Sequence, residues 1–146
     1  MKILVTSDIH GKTHLLKAVR DLHPDIDYHL DAGDSGLTVK EIEQYNILSV
    51  KGNTDYFLNL PQERIISTEE NTIYMTHGHT LDVKYGTAAI LAEAKKNHAN
   101  ICIYGHTHQP MIVKDEILLL NPGSLKDFPY TYIIIENNVA TLHELN

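Results

Sequence analysis

A chain of 146 residues, 42% apolar and 21% charged, is long enough to bury a core and too apolar to be disordered. Its formal net charge of −7, with no run of Lys or Arg, argues against extended nucleic-acid binding through a basic surface. Nothing approaches a membrane span, the opening "MKILVTSDIHG" is too short for a secretory signal, and Cys102 is the only cysteine, so a cytoplasmic, reducing setting is expected. From the amino end, "KILVTS" (2–7) reads as an apolar strand, and "KTHLLKAVRDL" (12–22) carries helical spacing through Leu15, Leu16, Val19 and Leu22. "DYHLDA" (27–32) is a strand, and "TVKEIEQY" (38–45) a short helix with Thr38 as N-cap and Glu41 three residues on. Strands are expected at 46–51, 63–69 and 72–77, a helix at 86–98, and a strand at 99–104. Strands alone then follow, "PMIVKD", "EILLLN", "YTYIIIEN" and "NVATLHEL", with turns at Lys114-Asp115 and Asn137-Asn138. No repeat, linker or low-complexity segment interrupts the chain, so a single domain over 1–146 is expected. Its class is α/β, with two sheets packed together and helices outside.

The polar residues fall at the strand ends. The first strand runs into Asp8-Ile9-His10-Gly11, the second into Gly33-Asp34, the third into Gly52-Asn53-Thr54-Asp55. The strand at 72–77 runs into His77-Gly78-His79, and that at 99–104 into Gly105-His106-Thr107-His108. Ligands of open α/β sheets bind in the crevice outside the carboxyl ends of the strands. Glycine at each end lets the backbone turn sharply, so side chains from several strands converge. Carboxylates, imidazoles and one amide oxygen are donors for Mn, Fe, Ni or Zn, and no thiolate is placed among them. Two imidazoles one residue apart, His106 and His108, can serve two cations about 3.5–4 Å apart, the spacing of two-metal hydrolytic sites. The remaining histidines, His14, His23, His29, His98 and His143, are expected to play surface or packing roles. Tyr56, Phe57 and Tyr85 lie beside the motif loops, where packing is the expected role and contact with a leaving group the alternative.

Taken in order and spacing, the series Asp8-x-His10, Gly33-Asp34, Gly52-Asn53-x-Asp55, His77-Gly78-His79 and Gly105-His106-x-His108 resembles the calcineurin-like metallophosphoesterases. The small single-domain bacterial and archaeal branch is the most similar, and "NPGS" (121–124) is typical of it. The resemblance covers essentially the whole chain. It implies a four-layer α-β-β-α sandwich, two mixed sheets with outer helices, around a dinuclear centre. Carried onto matching positions, Asp8, His10, Asp34 and His108 would bind one metal, and Asp34, Asn53, His77 and His106 the other, with Asp34 bridging. Two divalent transition-metal ions are implied, manganese first, with iron, nickel or zinc acceptable to the same donors. Two carboxylates against two divalent cations leave a local charge of about +2, and a bridging hydroxide about +1, which suits a phosphate ester anion.

The activity implied is metal-dependent hydrolysis of a small phosphate ester, in particular a phosphodiester, by a hydroxide that bridges the two ions. Asn53 would be both ligand and orienter, and Asp55 would hold a ligand or its loop in place. Many relatives carry a histidine after the Gly-Asn pair, thought to protonate the leaving group; here Thr54 stands there. His79 is the candidate substitute, and good leaving groups or diesters should be favoured. The exposed end strands could support a homodimer. The alternative is a non-catalytic protein-interaction scaffold, since a retromer subunit of eukaryotes has this fold with altered ligand positions; the seven donors intact here argue for catalysis. A purely structural metal is disfavoured, because such sites are closed and rich in sulfur.

Overall fold

The computed structural model describes all 146 residues. Fourteen segments of regular structure follow one another. The first part is β1 (Lys2–Thr6), α1 (Thr13–Leu22), β2 (Tyr28–Asp31), α2 (Val39–Gln44) and β3 (Ile47–Ser49). Next come β4 (Glu63–Ser67), β5 (Thr72–Thr76), a 3-10 turn (His79–Leu81), α3 (Ala88–Lys96) and β6 (Ile101–Ile103). The chain ends with β7 (Met111–Lys114), β8 (Leu118–Asn121), β9 (Tyr130–Glu136) and β10 (Val139–Leu145). Every expected element is present, most of them trimmed at the ends. The third strand shrinks by half, from 46–51 to Ile47–Ser49, because Val50 to Asp55 turn into the site instead of continuing the ladder.

Two mixed five-stranded sheets form, in the orders β10-β9-β1-β2-β3 and β4-β5-β6-β8-β7. β1, β2 and β3 are parallel, as are β5, β6 and β8, and antiparallel strands complete each sheet. Side chains one residue apart on a strand face opposite ways, and the buried residues sort accordingly. Ile3 and Val5 of β1, Ile133 and Ile135 of β9, Ile73 and Met75 of β5, and Ile101 and Ile103 of β6 meet between the sheets. The alternate residues Leu4 and Ile134 face outward onto Leu16 and Val19 of α1 and Ile42 of α2. On the far side Tyr74 and Cys102 face Ile90 and Ala94 of α3. Three apolar interfaces between four layers give the α-β-β-α sandwich, each wholly buried Leu or Ile contributing about 1.5–3 kcal/mol.

Local chemistry sets the corners. The Thr38 hydroxyl accepts from the Glu41 N–H (3.1 Å) while the Glu41 carboxylate accepts from the Thr38 N–H (3.0 Å), a capping box that starts α2. Asn137 and Asn138 both take positive φ, 52° and 62°, and join β9 to β10 in a two-residue hairpin with Glu136 opposite Val139. The β7–β8 turn falls one residue later than expected, with Lys114 paired to Leu118. No helix is long and apolar enough to cross a membrane.

Candidate metal centre

The loops that leave β1, β2 and β3 in one sheet meet those that leave β5, β6 and β8 in the other. Between the first two, the N–H groups of Asp8, His10 and Gly11 donate to the carbonyls of Gly33, Asp34 and Ser35 (3.0, 3.1 and 2.8 Å). Within the second sheet the Gly105 N–H donates to the His77 carbonyl (3.1 Å), and across the sheets the His106 N–H donates to Asp8 Oδ2 (3.1 Å). Five of the seven candidate donors, Asp8, His10, Asp34, His106 and His108, have φ between 49° and 68°. Non-glycine residues rarely adopt that region, Asp and His being among the more tolerant, and such strain concentrates at functional sites.

Two groups of donors result. Atoms of Asp8, His10 and His108 lie within 4.8 Å of one another, as do atoms of Asp34, His77 and His106. Asp8 Oδ1 is 3.1 Å from His108 Nε2 and 3.6 Å from His10 Nε2. Asp34 Oδ2 is 3.2 Å from His77 Nε2 and 4.0 Å from His10 Nε2, and Asp8 Oδ1 is 3.9 Å from His77 Nε2, so each of the two carboxylates reaches a member of both groups. Asn53 Oδ1 lies 3.0 Å from His77 Nε2 and 3.1 Å from His106 Nδ1. All seven residues expected to be donors are therefore together. Asp55 is buried beside them, its Oδ2 accepting from the N–H groups of Asp34 (2.9 Å) and Gly52 (2.8 Å). His79 belongs to neither group; its ring centroid is 5.4 Å from that of His77 and 6.2 Å from that of His106.

The electrostatics follow from this crowding. Burial alone would raise the Asp8 carboxyl, yet the imidazoles of His10, His108 and His77 hold it well below the usual carboxylate range. Asp34 is held down likewise by His77 and the Thr54 N–H against the pull of burial. Burial lowers His77, but Asp34 and Asp8 outweigh it and raise the imidazole. Asp8 raises His108 to about 9, burial opposes, and Asp127 adds to the rise. His79 and His106 are lowered, by burial first and then by His77.

The donor set fits divalent metal ions. It contains only oxygen and nitrogen, and the His10 Nε2 is buried with no hydrogen-bond partner although carboxylates stand close by. Two imidazoles have their tautomer set from behind. His77 Nδ1 donates to the Ala32 carbonyl (2.7 Å), and His108 Nδ1 donates to Asp127 Oδ2 (2.6 Å), which in each case turns Nε2 toward the centre. Asp127 is a residue that sequence reasoning missed. Its one signal was its place three residues after the "NPGS" stretch, and that loop is itself bound to the site: the Ser124 hydroxyl donates to the Asp8 carbonyl (3.0 Å) and the Leu125 N–H to the Ser7 carbonyl (3.4 Å). One expectation is corrected. Tyr56, Phe57 and Tyr85 do not pack; they stand 75, 99 and 92% exposed, on connections outside the strands and helices.

Known proteins share this arrangement of sequence and fold. Residues 1–138 match the calcineurin-like phosphoesterase superfamily domain. The chain is 36% identical over 133 residues to the probable metallophosphoesterase MJ0623 of Methanocaldococcus jannaschii, covering 85% of this chain and 68% of that one. A conserved uncharacterized protein of Streptococcus pneumoniae TIGR4, a predicted phosphoesterase, superposes with a TM-score of 0.83 at 26% identity, over 99% of this chain and 97% of the other. The fold alone is shared with a novel archaeal phosphodiesterase (TM-score 0.81, 20% identity, 99% and 100% covered) and with Vacuolar Protein Sorting 29 from Cryptosporidium parvum (0.78, 17%, 97% and 95%). With strand-end donors, sandwich and near full-length match all in agreement, the chain belongs to the calcineurin-like phosphoesterase superfamily.

Proposed function

We propose that the protein is a metal-dependent phosphodiesterase working on a small phosphate diester with two divalent ions, manganese first among the candidates. The observation that carries this reading is the pair of adjoining donor groups, close enough that Asp34 reaches toward His10 and Asp8 toward His77. Asp8, His10, Asp34 and His108 would hold one ion, and Asp34, Asn53, His77 and His106 the second. When bound, the ions supply an activated water and neutralise charge on the phosphoryl oxygens.

The chain's own residues do the rest. Asp55 fixes the backbone of Asp34 and Gly52, and so the bridging carboxylate and the Asn53 loop together. Asn53 Oδ1, between two imidazoles, holds the second donor group in register. His79 is lowered by burial and by His77, and it belongs to neither donor group. Thr54 brings only a hydroxyl, which is no general acid near neutral pH, and its backbone N–H donates to Asp34 Oδ1 (2.9 Å). Esters whose leaving group needs no proton are therefore favoured. The likeness to Vacuolar Protein Sorting 29 also fits a scaffold, but a scaffold has no use for seven converging donors, five of them in a strained backbone conformation.

The test is hydrolysis of bis-p-nitrophenyl phosphate against p-nitrophenyl phosphate by protein stripped of metal and reloaded with Mn, Fe, Ni or Zn. The diester should be cleaved faster, and Asp34→Asn should abolish turnover. Full activity in that variant, or none under any loading of the native chain, would sink the reading.

A further inference from the structure

Asp31, the last residue of β2, is buried, takes part in no ion pair and is hydrogen-bonded to none of the seven donors. Its side-chain partners come from the three parallel strands of the first sheet. Oδ2 accepts from the Thr6 hydroxyl at the end of β1 (2.8 Å), and Oδ1 accepts from the Gly33 N–H just past β2 (3.0 Å). The Ser49 hydroxyl, at the end of β3, lies 3.3 Å from Oδ1. These are the strands whose exits carry Asp8, Asp34 and Asn53. The ladders do not need the carboxyl, since β1–β2 and β2–β3 are already paired along their backbones. An apolar side chain would fill the place without the cost of burying an acid. A carboxyl kept at that cost calls for a reason outside the core.

The reason lies in the next two peptide planes. The Ala32–Gly33 plane is gripped on both sides: its N–H donates to Asp31 Oδ1, and its carbonyl accepts from His77 Nδ1 (2.7 Å). The Gly33–Asp34 plane is gripped likewise, its carbonyl accepting from the Asp8 N–H (3.0 Å) and its N–H donating to Asp55 Oδ2 (2.9 Å). The joint between the planes is Gly33, with φ of 102°, the residue type whose rotation the backbone restricts least. The joint is also crowded, for a β-carbon on Gly33 would come within 2.8 Å of His77 Nδ1 and 3.1 Å of the Gly52 nitrogen. Rotation there would move His77 of one donor group and Asp8 of the other together, with Asp34 next in the chain.

The geometry points to Asp31 as a positioning residue: it fixes the Ala32–Gly33 plane, and through that plane the spacing between the two donor groups. It is the counterpart of Asp55 on the following plane. This deepens the two-ion reading above and rests on it for what the spacing serves.

NMR of metal-free, nitrogen-15-labelled protein reads the geometry alone. The ring Nδ1–H of His77 and the amide of Asp8, neither in contact with Asp31, should shift in Asp31→Leu, which keeps the bulk but cannot accept from Gly33. Both should return close to their native positions in Asp31→Asn, whose Oδ1 still accepts from Gly33. Manganese loading then reads the spacing, because two bridged Mn(II) ions give an exchange-coupled electron paramagnetic resonance spectrum in place of the hyperfine pattern of isolated ions. Asp31→Leu should lose the coupled signal and bind manganese about 10–100-fold more weakly, with Asp31→Asn within about 3-fold of the native chain. Should Asp31→Leu not fold, Thr6→Val, which removes only the donor to Oδ2, should move the same two resonances to a smaller degree. Unmoved resonances in the folded variant, or shifts as large in Asp31→Asn as in Asp31→Leu, overturn the assignment. A native chain without a coupled signal overturns the two-ion reading instead, and the two resonances still judge Asp31.

Discussion

Asp127 Oδ2 accepts a hydrogen bond of 2.6 Å from His108 Nδ1, while the other ring nitrogen lies 3.1 Å from Asp8 Oδ1. The carboxylate thus fixes which nitrogen of His108 is free, and from a different loop than the histidine itself. Partners of this kind typically govern metal affinity by about 10–100-fold. Asp127→Ala should weaken retention of one of two ions by that order and leave the other unchanged, as read by equilibrium dialysis with elemental analysis. Asp127 is 57% exposed as a side chain, so the fold should survive the change. Two ions held as tightly as in the native chain would show that the contact is incidental.

Beneath the site lies a buried chain of polar groups. Arg20 can only donate, so its Nη1 donates a hydrogen bond to His29 Nδ1 (3.2 Å), His29 Nε2 donates to the Thr6 hydroxyl (2.8 Å), and Thr6 donates to Asp31 Oδ2 (2.8 Å). Burial pushes His29 down to about 3 and Asp31 up to about 7, despite the hydrogen bonds that Thr6 and Gly33 give Asp31. The sign for Asp31 follows from linkage. Between about pH 4 and 7 the unfolded chain releases this proton and the folded chain keeps it, so stability falls as pH rises through that window and levels off above it. The upper bound is about 4 kcal/mol. Urea unfolding in chelator at pH 4.5 and 7.5 should show Asp31→Asn gaining on the native chain as pH rises; an equal difference at both values would place the proton elsewhere.

Thr54 occupies the position where a proton donor would serve, exposed at the mouth of the site. Thr54→His should raise turnover of alkyl esters by about 10-fold or more, since general acid help is typically worth 10²–10⁴-fold at its best. Nitrophenyl esters, which leave without a proton, should change far less. Equal gains on both substrates would mean that the new imidazole acts through binding instead.

Much of this was legible because each donor sits at a strand end, where periodicity and glycine announce it together. The continuous apolar runs in "KILVT" and "YIII" marked strands, and the structure buries both their faces, with Ile3 and Val5 inward and Leu4 outward. Strand order was not legible: β8 lies between β6 and β7 only because the β7–β8 hairpin folds back and sets β8 parallel to β6. Asp127 was hidden for the same reason, since its partner His108 lies 19 residues away and only the course of the β8–β9 loop brings them together. Backbone conformation was invisible too. A positive φ at Asp8 or His106 is imposed by contacts between loops of different strands, not by neighbours in sequence. Tyr56 and Phe57 misled because apolarity usually means packing, and nothing local says that their turn points outward.

Gly52 and Gly105 share a duty that their neighbours in sequence do not reveal. A β-carbon at Gly52 would strike the Asp34 carboxylate and come within 2.5 Å of the Asp34 backbone nitrogen; one at Gly105 would strike the Ser7 hydroxyl and come within 2.8 Å of Asp8 Oδ2. Each of the two site carboxylates is thus backed by a glycine, and neither glycine has a positive φ that would itself demand the residue. Space, not conformation, selects glycine here. Gly52→Ala must displace Asp34, either breaking its hydrogen bonds with Asp55 and Thr54 or moving the whole loop, at a cost of about 1–3 kcal/mol. Since Asp34 is the carboxylate proposed to bridge the two ions, metal content should fall at both positions while circular dichroism still reports a folded chain. Gly105→Ala, which crowds Asp8 alone, should empty one position. A Gly52→Ala protein that keeps two ions at native affinity would show that Asp34 does not bridge them.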